Sequence, residues 1–453
     1  MRDLTRQNLA AAGISSRPAP VRIVHLGLGA FHRAHQAWYT QRARDGWGIA
    51  AFTGRSPHAA ETLAAQNGLY ALVTRNADDD AVEIVTSISE AHDGADLAHL
   101  RELLSRPQVG VVTLTITEAG YRVDGQGALD LSDPDVQADI RALRTGPPSA
   151  RDTAPRTPLG RLLSGLQARR TADGGPLAVV SCDNIPANGT ISRRALTALA
   201  GEVDAGLCAW VSANVAFVST SVDRITPAHT GEVPVVIEAG WHDEGTVVTE
   251  PFADWVLEGD FPAGRPAWEN AGARFVDDIC PWEDRKLWLL NGAHTILAVA
   301  GPARDKATVS DAFADPACRD LVEAFWAEAV RCLPDSVEHI DYRRQLAERF
   351  ANARIVHRLD QIAAETTTKV RYRIVPIATR LRRQGDDAAA CAAALTTWIR
   401  AVRVGIAAPD RESAAVRAAV SAADPVSALL SLVGADIDQD FISRVRSRLS
   451  ATD

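Results

Sequence analysis

The stretch Val21-Arg-Ile-Val-His-Leu-Gly27-Leu-Gly29-Ala-Phe31-His32-Arg33-Ala-His35 decides the fold. A buried-strand run, Val21–Leu26, ends directly on Gly27-Leu28-Gly29, and residues 31–44 read as a helix. This is the setting of a dinucleotide fingerprint, in which glycines let the backbone approach a pyrophosphate seated on a helix N-terminus. The match is partial, because His32 stands at the third glycine position. An ordinary tight strand-to-helix turn would also account for two glycines. The chain beyond the turn favours the nucleotide reading: strands are expected at 47–53, 109–116 and 177–181, with helices at 95–105 and 158–170 between them. Strands separated by helix-length pieces imply a mostly parallel sheet.

Further along, 70–74 and 81–86 flank a polar turn and read as an inserted hairpin, and residues 146–158 read as a surface loop. β-branched stretches at 214–221 and 233–238 continue the mixed pattern, and from Asp284 the chain is helical almost throughout. The expected organisation is an α/β domain over 1–280 and a predominantly α-helical domain over 281–453.

Composition narrows the function. The 453 residues are 46% hydrophobic and 23% charged, as in soluble globular proteins. A net charge of -9 with no basic block argues against a nucleic-acid or anionic-membrane surface. No apolar run approaches the roughly 18 residues of a spanning helix. The N-terminal residues carry no signal-peptide pattern, and six scattered cysteines include no C-x-x-C, so a cytoplasmic protein with reduced thiols is expected. Of 48 Lys and Arg residues only Lys286, Lys306 and Lys369 are lysines. Arginine stays charged in any surroundings whereas lysine titrates when buried, so each lysine raises the question of a needed amine.

Two places bear on chemistry. After the second expected strand, NAD-specific sites usually place an Asp or Glu on the ribose 2′-OH. Here the segment is Ala51-Phe-Thr53-Gly54-Arg55-Ser56, without a carboxylate. Arg55 beside Ser56 suits a 2′-phosphate, or is simply a solvated loop residue. The second place is Pro281-Trp-Glu283-Asp-Arg-Lys286-Leu-Trp-Leu-Leu-Asn291-Gly-Ala-His294. On an α-helix at about 100° per residue, Lys286 and His294 lie about 80° apart and Asn291 and His294 are neighbours. A desolvated lysine is a candidate general base, an asparagine amide a neutral donor for an alkoxide, and a histidine an orienting group. A surface helix with Lys286 paired to Glu283 or Asp284 is the plainer alternative. No H-E-x-x-H and no tyrosine followed four residues on by lysine is present, so zinc and Tyr–Lys routes to alcohol oxidation lack support and no metal is expected.

The glycine segment, with Phe31, Arg33 and His35, resembles the G-x-G-x-F-x-R-x-H signature of the long-chain mannitol dehydrogenase family of polyol-specific dehydrogenases and fructuronate reductases. Lys286-x4-Asn291-x2-His294 is similar to its catalytic motif. Thr117-Glu-Ala-Gly-Tyr121, Ser181-Cys-Asp183-Asn184, Ser221-Val-Asp223-Arg224 and Glu250-Pro-Phe252 follow in the family's order. The resemblance implies an expanded Rossmann domain followed by a helical domain, and metal-free hydride transfer between NAD(H) or NADP(H) and a linear sugar alcohol or sugar acid. It implies Lys286 as base, Asn184 and Asn291 as oxyanion hole, His294 orienting substrate and Glu283 relaying the proton. Gly27, Gly29, Phe31, Arg33, Arg55, Thr117 and Asp223 are then the cofactor-binding candidates.

The family's R/Q-I-A-x-D-G-S-x-K-x-P segment appears here as Gln361-Ile-Ala-Ala-Glu-Thr-Thr-Thr-Lys369-Val-Arg371. The Gln form resembles fructuronate reductases, and Lys369 with Arg371 offers charge to a carboxylate, unless both are merely solvated; Gln361 and Lys369 are substrate-binding candidates. The expectation is a mannitol 2-dehydrogenase-like enzyme interconverting mannitol and fructose, a monomer or small homo-oligomer whose partner is a small sugar. The alternatives are a fructuronate reductase and, in another class, a non-catalytic nucleotide-binding sensor.

Overall fold

The structure, a computed structural model, describes residues 1–14, 17–146, 154–229, 231–405, 410–434 and 438–450. It divides into two compact units, Met1–Ile279 and Cys280–Asp453.

The first unit is built on an eight-stranded sheet. In chain order its strands are β1 Val21–Leu26, β2 Gly48–Phe52, β3 Ile88–His92, β4 Val111–Leu114, β5 Leu177–Ser181, β6 Val215–Asp223, β7 Asp254–Glu258 and β8 Arg274–Phe275. They lie in the spatial order 3-2-1-4-5-6-7-8. All neighbours are parallel except β6 and β7. The first six strands reproduce the doubly wound dinucleotide-binding order, whose direction reverses between β1 and β4. β2, β4 and β5 are buried along their whole length, as strands covered on both faces by helices must be, which is why they read as near-continuous apolar runs. One such covering helix, Leu97–Ser105, is capped by Asp96 and buries Leu97, Leu100, Leu103 and Leu104.

Four local expectations change. Residues 31–44 are not one helix: Ala30–Ala34 and Gln36–Ala43 meet at His35, whose backbone (φ -120°, ψ -90°) leaves the helical region. The hairpin Tyr70–Arg75 with Asp80–Val85 gains a third strand, Val247–Thr249, so it belongs to a small sheet. β3, not expected from the sequence, is a sheet edge with mostly half-buried, polar residues and carries no apolar run. The β-branched stretch at 233–238 is helical over Pro234–Glu238, because proline at the first helical position pre-sets φ and lacks only an amide that would be unbonded there. Most of the loop expected at 146–158 lies outside the described residues.

Among its described residues the second unit is helical apart from turns, loops and one isolated β-bridge between Thr308 and Arg358, as expected from Asp284 onward. Its axis is one rod: α-helix Cys280–Arg285, π-helix Lys286–Gly292 and α-helix Ala293–Ala300. Every residue from Ala293 to Ala300 is buried, the mark of a helix surrounded by others. The helices Pro316–Ala329, Leu359–Ala363 and Ala389–Arg403 pack around it. Among the described residues no helix is long and apolar enough to cross a membrane. All six cysteines are free thiols.

Candidate active site

In the first unit the expected nucleotide site is a cavity of about 440 Å³ at the carboxyl ends of β1, β2 and β4. Its wall contains Gly27 and Leu28 after β1, Thr53, Gly54 and Arg55 after β2, and Thr115 to Thr117 after β4. In open α/β sheets this point of strand reversal is where ligands sit. Gly27 has φ +109°, and a Cβ there would lie 2.0 Å from the Thr115 carbonyl oxygen, so only glycine fits. Gly29 is different: a Cβ would meet nothing nearer than 3.6 Å, so the protein leaves that space open. A nucleotide phosphate fits an open space of this kind at a helix start.

His32, at the third glycine position, stacks on His25 of β1 with ring centroids 3.3 Å apart. Helix and strand therefore meet through two imidazoles. Burial lowers both pKa values, that of His25 to about 3. His25 is held further by Thr113 at 2.8 Å and Thr115 at 3.1 Å.

The loops around the cavity are tied by Asp183, which the sequence offers only as one member of a motif. Its carboxylate accepts bonds from the Ile116 amide (3.1 Å), the Thr117 amide (2.7 Å) and the Tyr121 hydroxyl (2.8 Å). Burial raises its pKa, and these three donors oppose the rise. Asn188, wholly buried, binds the Asp183 carbonyl (2.9 Å) and the Thr220 backbone. These bonds fix the turn that presents the exposed Asn184. A signal for this role exists in the sequence: an Asp and an Asn at the end of a buried strand need partners.

Of the cofactor-binding candidates, Gly27, Arg55 and Thr117 line the cavity, and Gly29, Phe31, Arg33 and Asp223 are not among its lining residues. Arg33 braces the turn: it donates to the Gly29 carbonyl (3.2 Å) and the Gly245 carbonyl (2.5 Å) and lies over the Tyr70 ring. Asp223 is buried at the end of β6. The cavity carries guanidinium groups from Arg55, Arg122, Arg156 and Arg161, and no carboxylate among its described lining residues. Arg122 is committed to Asp133 (2.8 Å) and Asp135 (3.0 Å), and Arg161 holds the Gly54 carbonyl (2.9 Å). Arg55 and Arg156 are exposed.

In the second unit Lys286, Asn291 and His294 share the central rod, but its backbone is not the α-helix the spacing presupposes. Lys286 opens the π-helical segment and Asn291 lies within it. In an α-helix residues five apart point about 140° from each other. A π-helix bonds i to i+5, so Lys286 and Asn291 stand one turn apart, and such turns recur at functional sites. Side chains from elsewhere hold the irregular turn. Trp326 Nε1 donates to the Leu289 carbonyl (2.8 Å), while Arg373 Nη1 donates to the Asn291 carbonyl (3.1 Å) and the Thr295 hydroxyl oxygen (3.0 Å). Thr295 also donates to the Asn291 carbonyl (2.9 Å). Burial lowers the Arg373 pKa to about 10. Arg373 is not legible as a site residue, since nothing in sequence links it to a turn 82 positions away.

His294 is buried, with the Phe350 ring centroid at 5.0 Å and the His357 ring at 4.9 Å, edge-on. Burial first, and then the charge of Arg349, lowers the His357 pKa. Lys286, Glu283 and Asn291 are half-buried. Asp284 faces Arg380 at 3.9 Å.

The substrate candidates divide. Gln361 is exposed on Leu359–Ala363. Lys369 and Arg371 lie on helix Thr366–Arg373, not on a solvated loop. Lys369 Nζ donates to the Ile362 carbonyl (2.6 Å), and burial, then the charge of Arg373, lowers its pKa. Arg371 is engaged by Glu412 through two bonds of 2.9 and 2.7 Å and by the Leu432 carbonyl (2.8 Å). Its charge is therefore spent within the protein.

The fold defines a Rossmann-type dinucleotide-binding domain joined in sequence to a helical domain. The chain belongs to the mannitol dehydrogenase family: residues 21–270 match the mannitol dehydrogenase Rossmann domain and residues 278–452 the mannitol dehydrogenase C-terminal domain. It is an oxidoreductase of that family. The D-mannonate oxidoreductase of Escherichia coli (strain K12) is 34% identical, over 94% of this chain and 91% of the relative. The mannitol 2-dehydrogenase of Cereibacter sphaeroides is 37% identical over 78% of this chain and 75% of its own. The structure of Pseudomonas fluorescens mannitol 2-dehydrogenase, a ternary complex with NAD and D-mannitol, superposes with a TM-score of 0.78 at 31% identity, covering 99% of this chain and 96% of that one.

Proposed function

We propose that the protein interconverts a linear polyol and its ketose, as in the mannitol–fructose pair, by hydride transfer without a metal. The observation that carries the reading is the π turn, which gives Lys286 and Asn291 the i,i+5 relation of one turn. Lys286, in its neutral form, takes the hydroxyl proton of the alcohol as the carbon loses hydride, and returns it in the reverse direction. Asn291 supplies a neutral N–H donor to the developing alkoxide, where a fixed donor is worth most, and the family resemblance implies the same role for Asn184. His294, lodged against Phe350 and His357, orients the reacting hydroxyl. Glu283, one helical turn before Lys286, passes the proton to solvent. A bound nicotinamide cofactor supplies the hydride acceptor or donor.

Residues of the first unit fit that cofactor: space left open over Gly29, the side-chain-free Gly27 in the cavity wall, and arginines in that wall for phosphate oxygens. With Arg55 and Arg156 in the wall and no carboxylate among its described lining residues, the reading extends to NADP(H), used at least as readily as NAD(H).

A second reading, reduction of fructuronate to mannonate, is supported by Gln361 and by the extent of the likeness to D-mannonate oxidoreductase. Against it, Arg371 is neutralised by Glu412 and offers a substrate carboxylate no free charge. A panel of polyols, ketoses and keto-uronates, followed by nicotinamide absorbance with each cofactor, decides. Turnover on ketoses and polyols is expected; turnover confined to fructuronate and mannonate would replace the first reading by the second, and none on any sugar would leave the sensor alternative.

A further inference from the structure

Away from the residues assigned above, β3 and the helix after it assemble a cluster of metal-ligating groups. Glu90 and His92, two apart on β3, project to the same face of the sheet. His99 comes from the first turns of helix Leu97–Ser105. One oxygen of Glu90, Oε2, is approached by His92 Nε2 at 3.0 Å and by His99 Nε2 at 2.9 Å. One ligand atom from each of the three residues lies within 4.8 Å of the other two. The imidazole centroids are 4.3 Å apart, and Phe52 stacks on His92 at 5.1 Å and flanks His99 at 6.3 Å.

Three features distinguish this from a chance ion pair. Donors bound at 2.0–2.2 Å to a tetrahedral ion stand about 3.3–3.6 Å from one another, so the two spacings to Glu90 Oε2 need to open by roughly 0.3–0.7 Å. Next, the other nitrogen of His99, Nδ1, lies 3.3 Å from Glu102 Oε2. A neutral imidazole has one N–H and can satisfy only one of two flanking carboxylates. With a cation on Nε2, the N–H resides on Nδ1 and faces Glu102, which is the carboxylate–histidine–metal arrangement that fixes the tautomer in zinc sites. Finally, Glu90 supplies one negative charge beside two neutral ligands, and the partial exposure of all three side chains leaves the remaining coordination position to water.

We propose that Glu90, His92 and His99 form a Zn²⁺-class transition-metal site, oriented through His99 by Glu102, that clamps the edge strand β3 to the following helix. None of the four residues is part of the proposed catalytic or cofactor machinery, and the site does not depend on that reading. The clamp closes around 93–96, a segment that includes Gly94 in the wall of the nucleotide cavity. Its pattern, E-x-H-x6-H with a Glu three residues on, is neither an H-E-x-x-H pair nor a Cys/His zinc spacing.

The test uses the full-length, tag-free protein stripped of metal with a chelator and titrated with Zn²⁺ against a chromophoric competitor. One equivalent is expected to bind, to raise the unfolding temperature, and to show two imidazole ligands and no sulfur in zinc-edge absorption spectra. His92→Ala with His99→Ala should weaken binding at least a hundredfold and abolish the thermal shift. Glu102→Gln, an exposed change that leaves the fold intact, should weaken it about 10- to 100-fold. Absence of a saturable equivalent, sulfur ligands in the spectrum, or binding unchanged in Glu102→Gln and in the double variant would each overturn the site.

Discussion

The glycine turn after β1 and the π turn at Lys286–Gly292 are both departures from regular backbone, and they are held in opposite ways. The first exists because something is missing: Gly27 has no side chain, and a Cβ would strike the Thr115 carbonyl. The second exists because something is added: Arg373, Trp326 and Thr295 occupy carbonyls of the irregular turn. A turn made by omission fails sterically and locally. A turn made by added donors fails through residues distant in sequence, and by degrees.

The largest effect should come from the first turn. Gly27→Ala combines a φ forbidden to alanine with backbone overlap, and should destabilise the domain by about 3 kcal/mol or more. Thermal unfolding and cofactor titration would show both losses. Gly29→Ala, two residues on, should change stability by less than about 0.5 kcal/mol yet weaken cofactor binding, because its methyl enters space that the protein itself leaves open. Equal stability losses in the two variants would break the distinction.

Arg373→Gln tests the other turn. Losing charge-assisted bonds to Asn291 and Thr295 should cost about 2–3 kcal/mol and lower kcat about tenfold, with the cofactor dissociation constant unchanged. Arg373→Lys should recover part of kcat. A variant that is less stable but turns over normally would reduce Arg373 to a packing residue.

The His25–His32 stack adds a pH dependence to the first unit alone. Burial holds the folded pKa of His25 near 3, far below the unfolded value of about 6.5. The unfolded chain therefore binds the proton first, and the stabilising contribution, complete above about pH 6.5, is lost as pH falls toward 3. His25→Asn should flatten that part of the stability profile, measured by urea unfolding at each pH.

Smaller effects concern selectivity. Arg55→Ala should lower kcat/KM for NADP about tenfold or more, the worth of one charged hydrogen bond, and leave that for NAD within about twofold. A strong NAD preference surviving the substitution would remove the NADP reading. Arg371→Gln should cost about 1 kcal/mol or less, as half-exposed ion pairs do, and leave KM for keto-uronates unaltered.

The same contrast explains what is legible in the sequence. β1, β2, β4 and β5 announce themselves because buried parallel strands are continuous apolar runs, and Gly27 because a side chain is excluded there. Lys286, Asn291 and His294 stand out by residue type and motif, while their geometry does not, since periodicity presumes 3.6 residues per turn. β3 escapes because an edge strand need not be apolar. Arg33 reads as a cofactor-binding candidate in the motif, and its guanidinium binds the Gly245 carbonyl, 212 positions away. Arg371 reads as substrate charge until Glu412 is brought to it. The hidden part depends on partners far along the chain.

The central claim is that Lys286 acts by giving up and taking back a proton, and Lys286→Arg tests it most directly. The change keeps the positive charge but removes the titratable amine. Turnover should fall by about a hundredfold to ten-thousandfold, the usual contribution of a general base, while cofactor binding stays as in the unaltered protein. Turnover within tenfold of the unaltered protein would show that Lys286 contributes charge alone, and would contradict the mechanism.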